Sequence, residues 1–315
     1  MPHFQAGVLI KQLRINKGLT QSQLCEGICT KDVLSRIERG LRRPIWHSFE
    51  RIMQRLGESP DKYYDGIATT KDRRIVEIKD KLKQLLREKS SESRSESEKL
   101  INKLEESKDF KSGINLQFLL RSKATLAFQR KDYVSAYNFA TEAVKISKEQ
   151  FNEENIDTYI LSFDEIWAIN QIASAASFTV SIEKSTEILL KLKTSIDKGY
   201  IDGDEKAKTY LSLLYNISKN HGLLKRNADC VEICDEGIKL CRIHQDAFHY
   251  PLFLFNKAVS LLYLNQEKQG IQLLKQTVAL LEGYERYSEL EKVIEFVEEE
   301  FDLKIQIQNS ITRNC

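Results

Sequence analysis

The chain has 315 residues, long enough for two domains, a formal net charge of +2 and only four prolines, at Pro2, Pro44, Pro60 and Pro251. Almost the whole span between the last two lacks the residue that breaks helices and central strands, which predicts an all-α body. Residues 1–57 hold ten Lys/Arg against four Asp/Glu, so +6 sits at the N-terminus and −4 is spread over the rest, while no run nears the roughly 18 apolar residues that cross a bilayer.

The start, "MPHFQAGVLIKQLR", has no apolar run followed by a small-residue cleavage site, so a cytoplasmic protein with no membrane part is expected. Leu9, Ile10 and Leu13 then recur at helical spacing up to Gly18, a left-handed stop, which predicts a first helix over about residues 5–17. Thr20 can cap a second helix, with Gln23 completing a capping box and Gly27 closing it. Thr30 caps a third, which ends at Gly40. Advancing about 100° per residue along it gathers Val33, Leu34 and Ile37 on one side. Lys31, Asp32, Ser35, Arg36 and Arg39 fall in the opposing arc, with the side-chain chemistry of base-edge readout. Arg42 and Arg43 follow in a loop placed to reach phosphates, before Pro44 opens a fourth helix bearing Phe49, Ile52, Met53 and Leu56.

The pattern "LRINKGLTQSQLCEGI…VLSRIERGLRRP" closely resembles the XRE-type, lambda-repressor-like helix-turn-helix over roughly residues 5–58. The resemblance implies that Thr20 and Gln21 touch phosphate and base edges, and that Lys31, Asp32, Ser35 and Arg36 are the early contacts of a recognition helix. It also implies a structural pair between Arg14 and Glu38. An acidic Asp32 is unusual at a DNA-facing position. One such module covers a short half-site, so a homodimer on double-stranded DNA is expected.

A polar connector leads to "RRIVEIKDKLKQLLREK", where Ile75, Ile78, Leu82, Leu85 and Leu86 mark an amphipathic helix. The expected division is a DNA-binding domain over 1–65, a linker over 66–74 and a repeat domain over 75–315. The serine-rich "REKSSESRSESEK" reads as a short solvated link between helices. Beyond residue 110, "FLLRSKATLAFQRKDYVSAYNFATEAVKI" sets Leu120, Ala124, Ala127, Tyr133, Ala136, Ala140 and Ala143 in an order that resembles the tetratricopeptide hairpin. Weaker copies follow over 166–193, 210–240 and 253–281; the equivalent small positions Ala136, Ser185, Cys230 and Gly270 are 40 to 49 residues apart. This resemblance implies a right-handed helical solenoid whose concave face binds extended peptides. In that register Arg121, Thr125 and Gln129, then Asn170 and Ser174, then Tyr215, Asn216 and Lys219, and Asn256 and Tyr263 face the groove. A row of asparagine amides can hold a peptide backbone, and Arg121 and Lys219 can pair with a carboxylate.

Remaining features point to packing. Cys25/Cys29 and Cys230/Cys234 are each four residues apart, but nothing at metal-ligand spacing completes a four-ligand site, so small buried thiols and no metal or other cofactor are expected. His244 and His249 are assigned to a loop before Pro251, Trp46 and Trp167 to packing. The acidic run "ELEKVIEFVEEEFD" is expected to be a last helix whose Val293, Ile294 and Val297 cap the repeats or meet a second subunit. With no Gly-rich phosphate loop, nucleophile elbow or triad, no enzyme is expected. The order of modules resembles the Rgg, PlcR and PrgX type of peptide-pheromone regulator. That resemblance implies quorum sensing by a transcriptional regulator whose partners are DNA, a short signalling peptide and a second copy of itself; control by a protein partner is the alternative.

Overall fold

The computed structural model describes residues 3–58, 60, 69–88, 90–198 and 204–303. Among them there are helices and short turns and no strand. The first four helices form a head: α1 (His3–Asn16), α2 (Gln21–Cys25), α3 (Lys31–Glu38) and α4 (Trp46–Arg55). The capping box forms as the sequence predicts, with Gln23 N–H donating to Thr20 Oγ1 at 3.2 Å and Thr20 N–H to Gln23 Oε1 at 2.9 Å. Thr30 accepts from Val33 N–H at 3.3 Å and starts α3. Two ends differ from expectation. α2 stops at Cys25, before Gly27, and α4 opens at Trp46 behind Ile45, with Pro44 buried just outside the helix.

Gly18, Gly40 and Gly57 take positive φ, and the next amide in each turn reaches back to the carbonyl of Arg14, Arg36 or Met53 at 2.9–3.0 Å, closing each helix with a left-handed residue. Ile10, Leu24, Leu34, Ile37, Phe49, Ile52, Met53 and Leu56 fill the core of the head and are inaccessible to solvent or nearly so. Burying each such side chain contributes about 1.5–3 kcal/mol, which a bundle this small depends on. A Cβ on Gly7 would overlap the Ile37 carbonyl, so glycine lets α1 approach α3.

Of the expected linker, residues 66–68 lie outside the described residues; from Thr70 the chain is already helical, started by a Thr69–Asp72 capping box. The body then runs α5 (Thr70–Glu88), α6 (Ser91–Glu106), α7 (Gly113–Gln129), α8 (Tyr133–Lys145), α9 (Phe163–Thr179), α10 (Ile182–Lys198), α11 (Asp204–Leu223), α12 (Asn227–His244), α13 (Tyr250–Tyr263), α14 (Glu267–Gly283) and α15 (Tyr287–Phe301). The serine-rich stretch is not a link. It is the first half of α6, because Ser90 caps it from outside while Ser93 and Ser97 are buried and return their hydroxyls to backbone carbonyls of the preceding turn.

Packing divides the chain into two units, Met1–Thr209 and Tyr210–Cys315. In the first, α7 pairs with α8 and α9 with α10, and Ala124, Ala136, Ala140, Ala143 and Ala173 are fully buried where the repeat register places small residues. In the second, α12 packs on α13 and α13 on α14, with Cys230, Cys234, Gly237 and Gly270 between them. A side chain on Gly237 would strike the Phe253 ring, and one on Gly270 would strike Leu262, so both hairpins use a missing Cβ as space. Thiols here are buried, as expected: Cys230 and Cys234 are inaccessible, and Cys230 Sγ donates to the Ser218 carbonyl at 3.2 Å.

Five of the described hairpin turns repeat one geometry. Lys131, Lys225, Gln245, Asn265 and Glu285 have φ between 53° and 63°, and the following amide returns to Ala127, His221, Cys241, Leu261 or Leu281. The head uses glycine for this turn and the body does not. His244 is also not in a loop; it ends α12, while His249 is the residue before α13 and pairs with Asp246 at 3.1 Å and Ser212 at 3.1 Å. In α15, Val293 and Val297 are buried, and Leu290 and Val293 pack with Val278 and Leu281 of α14.

Candidate nucleic-acid interface and ligand cavity

Apolar residues of α3 turn into the head, and this leaves its polar arc outside. Lys31, Asp32, Arg36 and Arg39 are exposed and Ser35 is half-buried; Thr20, Arg42 and Arg43 are exposed and Gln21 is half-buried. The sequence-predicted set therefore holds five cations against one carboxylate on accessible positions, a distribution suited to phosphate contacts. Arg39 Nε donates to its own helix at the Ser35 carbonyl, 3.3 Å away.

A hydrogen-bonded triad around the buried Glu38 fixes Gln21. Arg14 donates to Glu38 through Nε at 2.6 Å and Nη2 at 2.9 Å, and Gln21 Nε2 donates to the same carboxylate at 2.9 Å. Burial alone would push the Glu38 carboxyl up, but the bonds from Arg14 and Gln21 outweigh it and hold it below its ordinary range. The Arg14–Glu38 pair that the family resemblance implies is present, and it sets the side chain next to the start of α2.

The other face of α4 carries functional residues that the sequence reading passed over. Phe49, Ile52, Met53 and Leu56 face the head, while His47, Glu50, Arg51, Gln54 and Arg55 recur at helical spacing on the side that meets the body. Arg55 is the centre of this contact. Its Nη1 donates to the carbonyls of Leu24 at 3.1 Å and Glu26 at 2.5 Å, and its Nη2 reaches Glu165 at 3.4 Å, both side chains being 1% exposed. Glu165 also accepts from Ser147 Oγ at 2.6 Å and Ser162 N–H at 2.6 Å. Burial pushes this carboxyl up, yet Arg55, Lys148 and these donors overcome it and bring it to about 2. Arg51 bridges the Gly27 carbonyl at 2.7 Å and Gln117 at 3.1 Å, and Lys148 pairs with Glu26 at 2.7 Å. Gly27, at φ +66°, lies so close to the body that a Cβ would overlap the Ser147 carbonyl. The signal was two arginines on the polar side of an amphipathic helix, but their side-chain partners, Gln117 for Arg51 and Glu165 for Arg55, lie 66 and 110 positions away.

The sequence-predicted peptide residues divide between the two units. In the first, Arg121 pairs with Asp164 and lies over the Trp167 ring, 4.4 Å from its centroid. Gln129 Nε2 donates to the Leu86 carbonyl at 2.7 Å, bracing α7 on α5, and Asn170 is buried on α9. In the second, Tyr215 and Asn216 are half-buried on α11, Lys219 is exposed, and Asn256 donates to Ser218 Oγ at 2.9 Å. Arg121 and Thr125 share a cavity of about 290 Å³ with Gln54, Lys83, Arg87, Trp167 and Lys208. Trp167 is thus a cavity wall as well as a packing residue. Gln129 and Asn170 are not among its lining residues.

Residues 5–62 match the family model described as a helix-turn-helix domain. Among solved structures, the chain is similar to PlcR of Bacillus thuringiensis in complex with the peptide PapR7 and DNA, at 18% identity over 92% of this chain and 99% of that one, with a TM-score of 0.57. The apo form of the competence regulator ComR from Streptococcus vestibularis aligns at 16% identity over 95% and 99%, TM-score 0.55. ComR from S. thermophilus, in complex with DNA and its signalling peptide ComS, aligns at 17% identity over 91% and 97%, TM-score 0.50. No curated protein sequence matches. The all-α fold, with a helix-turn-helix head followed by helical hairpins, is therefore shared with PlcR and ComR, the group that the order of modules resembles. Among the described residues no helix is long and apolar enough to cross a membrane.

Proposed function

We propose that this chain is a sequence-specific transcriptional regulator, homodimeric and cytoplasmic, whose grip on double-stranded DNA is set by a short signalling peptide bound to its repeat helices. The observation that carries the reading is the exposed basic arc of α3 on a head that is itself clamped to the body through Arg55 and Glu165. Lys31, Asp32, Ser35, Arg36 and Arg39 read base edges, Thr20 and Gln21 touch phosphate and base edges, Arg42 and Arg43 hold the DNA backbone, and the peptide engages Arg121, Gln129, Asn170, Tyr215, Asn216, Lys219 and Asn256. The likeness to structures holding both DNA and peptide supports this division of labour. A ligand shifts an equilibrium only by its differential affinity for the two states, so the peptide must favour one arrangement of the two heads in the dimer. Half-site spacing then converts that arrangement into DNA affinity.

The test is selection of operators from a random duplex library by the full-length protein, followed by anisotropy titrations. Lys31→Ala and Arg36→Ala each weaken the selected site by about 1–3 kcal/mol where they read a base, or reduce the salt slope by about one where they hold a phosphate. Asn216→Ala with Asn256→Ala weakens peptide binding and leaves DNA binding intact. Equal damage to both activities by both sets of folded variants overturns the proposal.

A further inference from the structure

The cavity beside Arg121 is lined by four cations, Lys83, Arg87, Arg121 and Lys208, and by one carboxylate, Asp164. Asp164 and the Trp167 ring fix the Arg121 guanidinium from two sides, so its direction is set before any ligand arrives. At about 290 Å³ the cavity lies at the lower limit of ligand pockets, roughly 300–1,000 Å³, and suits one end or one side chain of a ligand. Gln54 supplies the second distinguishing group. Its Oε1 is buried in the cavity wall and receives no hydrogen bond. A buried carbonyl oxygen in that state costs free energy until an N–H reaches it.

We infer that this cavity takes a peptide carboxylate together with a neighbouring amide N–H, the carboxylate lying among Arg87, Arg121 and Lys208 and the N–H donating to Gln54 Oε1. The inference deepens the peptide-controlled reading and rests on it. Both groups occur together at a peptide C-terminus and at an aspartate or glutamate residue, so the shared chemistry is a carboxylate beside a backbone amide. Gln54 belongs to α4, one turn from Arg51 and next to Arg55 on the face that clamps the head. The ligand therefore touches the DNA-binding head itself. A peptide bonded to Gln54 stabilises that placement of α4 directly, without needing a chain of intermediate residues to carry the signal.

The probes are four acetylated hexapeptides of one apolar sequence: with a single aspartate or with asparagine in its place, each as free acid and as amide. Binding to the full-length protein is read by fluorescence of Trp167, since the other tryptophan, Trp46, is sealed in the head core. The doubly neutral peptide is expected to bind about tenfold more weakly than the best of the four. Loss on amidation alone assigns the terminal carboxylate, and loss with asparagine alone assigns the side chain. Arg87→Ser with Lys208→Ser, both exposed positions, weakens the acidic peptide by about tenfold and leaves the neutral one unchanged. Gln54→Leu weakens every bound peptide by about fivefold or more. Equal binding of all four peptides sinks the acidic site and leaves peptide control standing; no binding by any at millimolar concentration sinks both. Unchanged affinity in Gln54→Leu overturns the contact with α4.

Discussion

Replacing Arg55 with methionine keeps the bulk of the side chain and removes its charge, which strands Glu165 at 1% exposure with only Ser147, Ser162 and the more distant Lys148 to stabilise it. Breaking one side of a buried ion pair costs about 3–5 kcal/mol, and the carbonyls of Leu24 and Glu26 lose their donor as well. For a unit the size of Met1–Thr209 this lowers the melting temperature by roughly 6–20 °C. Glu165→Leu costs less, because the Arg55 bonds inside the head survive. The double variant Arg55→Met with Glu165→Leu recovers more than half of the loss, since two apolar groups replace two charges. Urea denaturation of the four proteins, set out as a double-mutant cycle, gives the coupling directly. If Arg55→Met alone changes stability by less than about 1 kcal/mol, or if the two single changes simply add, the clamp described here does not hold the head.

Glu165 gives a pH signature. Its carboxyl is held at about 2, against about 4.3 in an unfolded chain, so its contribution is complete above that unfolded value and is lost as pH falls toward 2. Denaturation midpoints should drop steeply between about pH 4.5 and 2, and Glu165→Gln should flatten that segment. Gly27→Ala combines a left-handed backbone with overlap on the Ser147 carbonyl; a loss of about 2 kcal/mol or more is expected in chemical denaturation, whereas Gly283→Ala, in open space, should be neutral or stabilising. At the body's turns the sign reverses: Lys131→Gly or Asn265→Gly relieves a left-handed residue and should raise stability by up to about 1 kcal/mol, measured the same way.

Local chemistry made the head legible. Thr20 with Gln23, Thr30, and the glycines at 18 and 40 specify helix ends through bonds to their nearest neighbours, so a string of residues suffices to place them. The small residues of the hairpins were legible for a related reason, because Ala136, Cys230 and Gly270 sit where close helix packing excludes anything larger. What was not legible depends on partners distant in sequence. Polarity made residues 90–97 look like a solvated link, yet Ser93 and Ser97 bury short side chains by returning their hydroxyls to the helix. Arg55 and Glu165 each look like an ordinary surface charge until the fold brings them together, and Trp167 gains its role only when Arg121 lies across it. The proposed asparagine row illustrates the converse: Asn256 donates to Ser218, a bond that spacing alone does not reveal.

The clamp also limits how freely this protein can exchange parts. Arg55 anchors itself to two carbonyls of its own head, so a head cut away and joined to another body keeps most of what orders that side chain. The body is the dependent partner. Any foreign head fused to it must arrive with a cation where Arg55 stands and a residue without a side chain where Gly27 stands, or Glu165 loses its paired guanidinium under an ill-fitting lid.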